Sequence, residues 1–470
     1  MVAPVEKLSS MVSETVREVE NLTALYRSYE ERVSVIPTSQ DKSFESLVTF
    51  DNCKTEPIHR WYTFKEGYSH RLIAALENQG IISAKASTIL LDPFCGVGTT
   101  LLSCQLRATN GNVRTVIGME RNPAIHSIAK SKLNWRAYRL RTIKQSLEAL
   151  KLPKRGRRPM LSAPELSTFN STRKNGKRAF HPKVLADLLF LRERINQECG
   201  LNPELDFFML AWTAVIEQAS NTRKDGRALR LIESLGVPDV AELFIAQCDL
   251  MIEDLESMAT ENSQSLPATA ILGDARYIPF KESMFTGLCY SPPYLNNIDY
   301  TEVYKLELWL RGHVKTQEEF RSLRLKTFRS HPSITFPTTS ICDRLRPQTW
   351  IRRLKTALIG SLPSDRFRKM RETLFSGYID DMLLTLQEQK RVAKPGAPIV
   401  CVVGNSLHGG NAHHSVPVCT DLLISAAAKA VGLGIDHIQV ARQLPRRDNK
   451  NGWLRESLVV MQKPKGSTKS

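Results

Sequence analysis

Ser291-Pro292-Pro293-Tyr294 closes an apolar run (FTGLCY, 285–290), and each of its residues can act on a flat polar ring. The prolines fix φ and remove two backbone donors, so their carbonyls stand as rigid acceptors. Ser291 offers a hydroxyl to a polar edge, and Tyr294 a π-face on which a base can stack. Far upstream, Asp92-Pro93-Phe94-Cys95-Gly96-Val97-Gly98-Thr99-Thr100 follows another apolar run and opens a helix. Gly96 and Gly98 let the backbone come close to a ligand at that helix N-terminus. A P-loop needs Gly-Lys-Ser/Thr after its glycines, and no Lys stands here. A nicotinamide fingerprint needs a third Gly where Leu101 stands, so a nucleoside without a pyrophosphate remains. Glu120 ends the next apolar run, where a carboxylate can take both hydroxyls of a ribose. Asp274 ends a third and is placed to accept from an adenine amino group.

Positioning these groups requires a sheet. Strand-like runs at 88–94, 115–123, 268–280, 285–294, 397–406, 434–445 and 456–463, with helical spacing between them and acids at the carboxyl ends of the first three, predict a doubly wound α/β fold. Apolar spacing predicts helices near 5–33, 377–391 and 417–431. The reading divides the chain into an N-terminal helical segment (1–50), a cofactor half (51–140), a helical insertion (141–267), a catalytic strand (268–310), a basic insertion (311–374) and a C-terminal half (375–470).

The 470 residues carry a formal charge of +17, unevenly spread. Residues 151–178 hold nine Lys/Arg and one acid, and residues 311–371 hold fifteen and four. The rest is close to neutral, so two basic segments on a neutral body point to a polyanion, most simply nucleic acid. No run of 18 apolar residues exists, which excludes a membrane-spanning helix, and the N-terminal stretch lacks an h-region. Nine cysteines without a CxxC pair argue against a zinc module or disulfide framework and predict a cytoplasmic protein. His408, His413 and His414 lie in a Gly-rich loop without a nearby carboxylate or Cys in sequence, so no metal is expected there.

DPFCGVGTT resembles the S-adenosyl-L-methionine loop of amino-methyltransferases, and SPPY resembles the catalytic motif of DNA methyltransferases that modify an exocyclic amino group. HRWYTFKEGYS (59–69) is similar to the segment that closes over the methionine end. IDYTEVYKLELW (298–309) is similar to the stretch after the motif in a bacterial site-specific DNA methylase group, and RVAKPGAPIVCVVGNS (391–406) shares the family's turn and strand. The resemblance covers about half of the chain and implies a seven-stranded Rossmann-like methyltransferase sheet. It further implies that Lys65, Tyr68, Ser69, Asp92, Phe94, Gly96, Gly98 and Thr99 hold the cofactor, with Glu120 on the ribose and Asp274 and Ala275 on the adenine. Direct transfer to a flipped-out base would use Ser291, Pro292, Pro293 and Tyr294. Ser at the first position is associated more with N4 of cytosine than with N6 of adenine. The order of segments departs from the family: no C-terminal recognition domain is expected, and the long insertion follows the second strand.

Duplex DNA is therefore the expected partner, a cognate restriction endonuclease is compatible with it, and a monomer is the default. Asn221, Arg223, Lys224, Arg227 and Arg230 suit phosphates or base edges, as do Arg352 and Arg353 in a region that mixes Arg with aromatics. Two other readings stay open: an RNA amino-methyltransferase, and a catalytically silent nucleic-acid-binding protein.

Overall fold

The computed structural model describes residues 5–38, 44–85, 87–107, 115–151, 178–200, 203–224, 229–233, 236–259, 267–296, 298–408, 415–444 and 452–465, with side chains from residue 16 onward. Its main sheet has eight strands: β1 (Val35–Ile36), β2 (Ile89–Asp92), β3 (Thr115–Glu120), β4 (Ala268–Leu272), β5 (Gly287–Tyr290), β6 (Pro398–Gly404), β7 (Gly434–Gln443) and β8 (Arg455–Gln462). The order is β1-β7-β8-β6-β5-β2-β3-β4. Neighbours pair parallel except β8, which is antiparallel to both β6 and β7. The seven expected strands are present in the Rossmann-like arrangement. The two-residue edge strand β1 is additional and too short to show a pattern in sequence.

Side-chain alternation explains why the strands read as continuous apolar runs. Leu90, Val116, Val400, Val402, Leu458 and Val460 enter the core on one face, whereas Leu91, Leu288, Ile399, Cys401, Val403 and Val459 enter the core on the other. A sheet covered on both faces needs apolar residues at both parities. The first face is covered by helices that include Pro182–Cys199, Pro203–Val215 and Val240–Met258 of the helical insertion. The second is covered by Val5–Glu30, Trp350–Gly360, Arg368–Val392 and Thr420–Ala430.

The chain runs outward from β2 through β3 to β4, then returns to place β5 on the other side of β2. That reversal is a topological switch point, where a crevice opens at the carboxyl ends of the strands. Asp92 ends β2 and Ser291 follows β5, so both motif loops flank it.

After the helix Pro203–Val215, the basic stretch pairs Thr222–Lys224 antiparallel with Leu229–Leu231. The loop with the His cluster is bracketed by a ribbon of Ser406–His408 and Val416–Val418, and residues 409–414 lie outside the described residues. Among the described residues no group of three or more His, Cys, Asp or Glu is placed to hold a metal, and no helix is long and apolar enough to cross a membrane. All nine cysteines are buried and free.

Candidate active site

The turn after β2 is built around Asp92. Its Oδ1 accepts from the Phe94 N–H at 3.0 Å, and its Oδ2 from the Thr100 hydroxyl at 2.5 Å and the Tyr68 hydroxyl at 3.2 Å. Gly96 has φ +52°, and a Cβ there would stand 3.0 Å from the Phe64 ring. A side chain at this position would therefore be both strained and crowded. Glu120, at the end of β3, closes the turn from the next strand. Its Oε2 accepts from the Gly96 N–H at 3.1 Å and its Oε1 from the Asn122 N–H at 2.7 Å. Past the end of β4, Asp274 is held by Arg276, whose Nε and one terminal nitrogen donate at 2.9 and 2.7 Å.

One pocket joins these groups to the second motif. Its wall includes Tyr68, Asp92, Phe94, Gly96, Thr99 and Glu120, then Asp274 and Ala275, and finally Ser291, Pro292 and Pro293. Eleven of the fifteen residues expected at the cofactor or catalytic site thus share a single cavity. The other four are placed elsewhere. Lys65 extends its Nζ to the Lys224 carbonyl at 2.9 Å. Ser69 is fully buried, its hydroxyl accepting from Asn52 Nδ2 and the Arg71 N–H. Gly98, at φ +83°, starts the helix Thr99–Leu106, and a Cβ there would reach 3.4 Å from Ala129, so it serves the turn and the packing of the next helix. The Tyr294 ring packs on Gly404, where an added Cβ would come within 2.9 Å.

Sequence reading missed several wall residues. Phe64 and Glu66 come from the segment before β2, Tyr300 and Tyr304 from the stretch after β5, and Lys326, Phe328, Ser330 and His331 from the basic insertion. Phe328 meets Phe94 edge-on at 5.7 Å between ring centroids, and Phe94 stacks on Tyr290. The basic insertion therefore contributes part of the pocket itself. The aromatic-rich composition of 311–371 was the available signal, but it did not say which aromatic returns to the sheet.

The residues expected on nucleic acid divide. Lys224 is only 6% exposed, and its Nζ bonds Glu307 at 2.5 Å and the Tyr62 hydroxyl at 3.1 Å. A buried, paired ammonium is a cation of the fold, not a phosphate contact. Arg223 is half-buried and donates to the Glu217 and Thr222 carbonyls. Asn221 donates to the Arg178 carbonyl, Arg230 lies exposed on the hairpin, and Arg227 lies outside the described residues. Arg352 is tied to the Leu345 carbonyl at 2.7 Å, and Arg353 is exposed, stacked over Trp350 at 4.2 Å. Their helix packs against Val5–Glu30 and Thr420–Ala430 and contributes nothing to the pocket wall.

Desolvation pushes the Glu120 carboxyl up to about 7 and the Asp92 carboxyl up to about 6, outweighing the donors that favour their ionised forms. Two pH dependences of opposite sign follow for Glu120. Its folded pKa lies above the unfolded value, so its contribution to stability is present in acid and is lost as pH rises towards and through about 7. Relative to Glu120→Gln, the ligand-free protein should lose thermal stability between pH 5 and pH 8. Binding of a nucleoside through its ribose hydroxyls needs the carboxylate, so affinity should rise over the same interval. Calorimetric titration and melting of both proteins check this, and an affinity flat from pH 5 to pH 8 would contradict the ribose role.

Strand order and the switch-point pocket define a Rossmann-like α/β protein in which the two motif loops meet in one cavity. Over nearly its whole length the chain is similar to the Type II methyltransferase M.BsoBI of Geobacillus stearothermophilus, at 23% identity across 89% of this chain and 88% of that one. It is likewise 23% identical to the Type II methyltransferase M.AvaI of Nostoc sp. and of Anabaena variabilis, covering 95% of each chain. No family model matches. Among solved structures, a SAM-dependent methyltransferase from Methanosarcina mazei aligns with 81% of this chain and 94% of its own at 10% identity and a TM-score of 0.27. The rRNA methyltransferase AviRa of Streptomyces viridochromogenes aligns with 84% and 85% at 11% identity and a TM-score of 0.26. Scores this low carry no argument about substrate.

Proposed function

We propose that the chain is an S-adenosylmethionine-dependent, site-specific DNA methyltransferase that methylates an exocyclic amino group, N4 of cytosine, on a flipped-out base. The observation that carries this reading is the single pocket shared by the DPFCGVGTT loop and the SPPY loop. The full-length similarity to Type II methyltransferases supports it. The residues present fit the cofactor: the bare Gly96 leaves room that a Cβ would fill, Glu120 offers a carboxylate at the end of β3, and Asp274 with Ala275 lines the wall past β4.

When bound, S-adenosylmethionine supplies a methyl group on a sulfonium, an electrophile that needs only a nitrogen lone pair in line. The chain's task is to make that lone pair available. The amino nitrogen of cytosine or adenine is conjugated into its ring and is a poor nucleophile. Hydrogen bonds from the amino group to the Ser291 side chain and the Pro292 carbonyl would localise the pair on nitrogen. The proline ring holds that carbonyl rigidly, so little reorganisation opposes the reaction. Cys95 and Cys289 are buried and burial pushes both thiols well up, consistent with packing and with transfer that needs no covalent enzyme intermediate. The cognate endonuclease and a monomeric state belong to the same reading.

Incubation with methyl-labelled cofactor and, separately, duplex DNA and structured RNA tests the substrate class. Label is expected in DNA, with RNA at background. Label confined to RNA would overturn the DNA assignment and favour the RNA alternative, while label in neither would favour a silent binding protein.

A further inference from the structure

Four acids stand among the described wall residues of the pocket: Glu66, Asp92, Glu120 and Asp274. Three have their tasks. Asp92 accepts from Phe94, Thr100 and Tyr68, Glu120 from the Gly96 and Asn122 N–H groups, and Asp274 from Arg276. Glu66 is different. It is half-buried on the wall, its Oε2 accepts the Tyr304 hydroxyl, and its own backbone N–H approaches the carboxylate. No ion pair reaches it among the described residues. Two lysines act on it from a distance, and both ammoniums are bonded elsewhere: Lys224 to Glu307 and the Tyr62 hydroxyl, Lys65 to the Lys224 carbonyl. An anion withdrawn from water without a paired cation is costly, and burial holds this carboxyl above its ordinary range. A cationic group on a ligand would supply the missing partner.

Strand order locates Glu66 along the cofactor. Across the sheet the neighbours run β5, β2, β3, β4. With the ribose on Glu120 at the end of β3 and the adenine past β4, the remaining arm of the nucleoside has to run the other way, over β2 towards β5. Ser291 follows β5, and the methyl has to be delivered there. The segment that carries Glu66 lies over that end. Phe64 abuts the turn after β2, 3.0 Å from where a Cβ on Gly96 would stand, and the Tyr68 hydroxyl bonds Asp92 and Thr100. On its other flank Glu66 is tied to Tyr304, from the stretch after β5.

We propose that the Glu66 carboxylate holds the α-ammonium at the amino-acid end of S-adenosylmethionine, a contact that rests on the cofactor reading above. An ammonium offers three donors and a carboxylate only acceptors, and bonds between charged partners of this kind are the strong ones. The carboxylate is held in place from behind. The Tyr304 ring that bonds it stacks on Phe64 at 5.3 Å between centroids, and Lys224 Nζ stands over the same ring at 4.5 Å. Cofactor and demethylated product carry the same ammonium, so the contact sets affinity for both and leaves the transfer step itself alone.

Calorimetric binding of two ligands by the parent and by Glu66→Gln tests the proposal. The first ligand is S-adenosylhomocysteine, and the second is its analogue with hydrogen in place of the α-amino group. Glu66→Gln keeps the shape and an acceptor for Tyr304 but not the charge. It is expected to bind S-adenosylhomocysteine on the order of 10-fold more weakly than the parent, and the analogue within about twofold of it. Equal weakening of both ligands would reduce Glu66 to a structural part of the wall, and S-adenosylhomocysteine bound within about threefold of the parent would show no ammonium contact; either overturns the assignment. Carboxyl-carbon NMR of the parent needs no variant. The charged and titratable groups around Glu66 are Lys65, Lys224, Tyr62, Tyr300 and Tyr304. Both ligands leave these in place, so the Glu66 titration should move to lower pH with S-adenosylhomocysteine than with the analogue. The same titration in both complexes overturns the proposal. Failure of the parent to bind S-adenosylhomocysteine at all would instead sink the cofactor reading, and this contact with it.

Discussion

Ser291→Ala is expected to lower the rate of methyl transfer by on the order of 10²-fold while leaving cofactor affinity within about twofold of the parent. The split follows from where the residue sits. Asp92, Gly96 and Glu120 build their turn through hydrogen bonds among β2, β3 and the helix Thr99–Leu106. Ser291 comes from the loop after β5, on the other side of the switch point. Removing its hydroxyl deletes an acceptor for the amino group without touching the cofactor turn. Transfer rates under single-turnover conditions, measured beside cofactor binding by calorimetry, separate the two quantities. Equal losses in both would show that Ser291 shapes the cofactor site and would contradict its assigned role.

The largest effect on stability is expected at Asp381, far along the chain from either motif. Its carboxylate is buried and receives Arg329 through Nε, a terminal nitrogen and the backbone N–H, as well as Arg276 at 3.1 Å. Arg276 also holds Asp274, and Arg329 stands between the wall residues Phe328 and Ser330. One carboxylate thus orders the wall past β4 and the returning loop of the basic insertion together. Asp381→Asn keeps the shape but removes the charge that compensates two largely buried guanidiniums. Breaking a buried pair in this way costs on the order of 3 kcal/mol or more. Chemical denaturation of the two proteins measures it, and a loss below about 1 kcal/mol would show that solvent takes over the pairing, as at exposed ion pairs. Cofactor affinity should fall in the same variant, because Asp274 loses the anchoring of its partner arginine.

The contrast between these sites explains what the sequence disclosed. Asp92, Gly96, Glu120 and Ser291 sit at strand ends, where an apolar run followed by an acid, a glycine turn or a proline pair is a local signal. The doubly wound sheet was legible for the same reason, since strands buried on both faces read as unbroken apolar runs. His331, Arg276 and Asp381 depend on tertiary return. Arg276 meets a carboxylate 105 residues away, and Arg329 meets the same one across 52. Lys224 shows the opposite error, because a Lys beside a Gly turn in a basic stretch reads as a phosphate contact. Only the fold shows that it is buried against Glu307, 83 residues on. The charge of the 311–371 segment pointed to a polyanion but not to its placement: the segment divides between the pocket wall, through Phe328 and His331, and a helix that closes the far face of the sheet.

The central claim, that the pocket methylates an exocyclic amino group of DNA, is tested most directly by nucleoside mass spectrometry of duplex DNA treated with the protein and isotope-labelled cofactor, then digested to nucleosides. The account predicts labelled N4-methyldeoxycytidine. Labelled N6-methyldeoxyadenosine would correct the base while sparing the mechanism, whereas label on carbon 5 of cytosine, or on ribonucleosides alone, would contradict it.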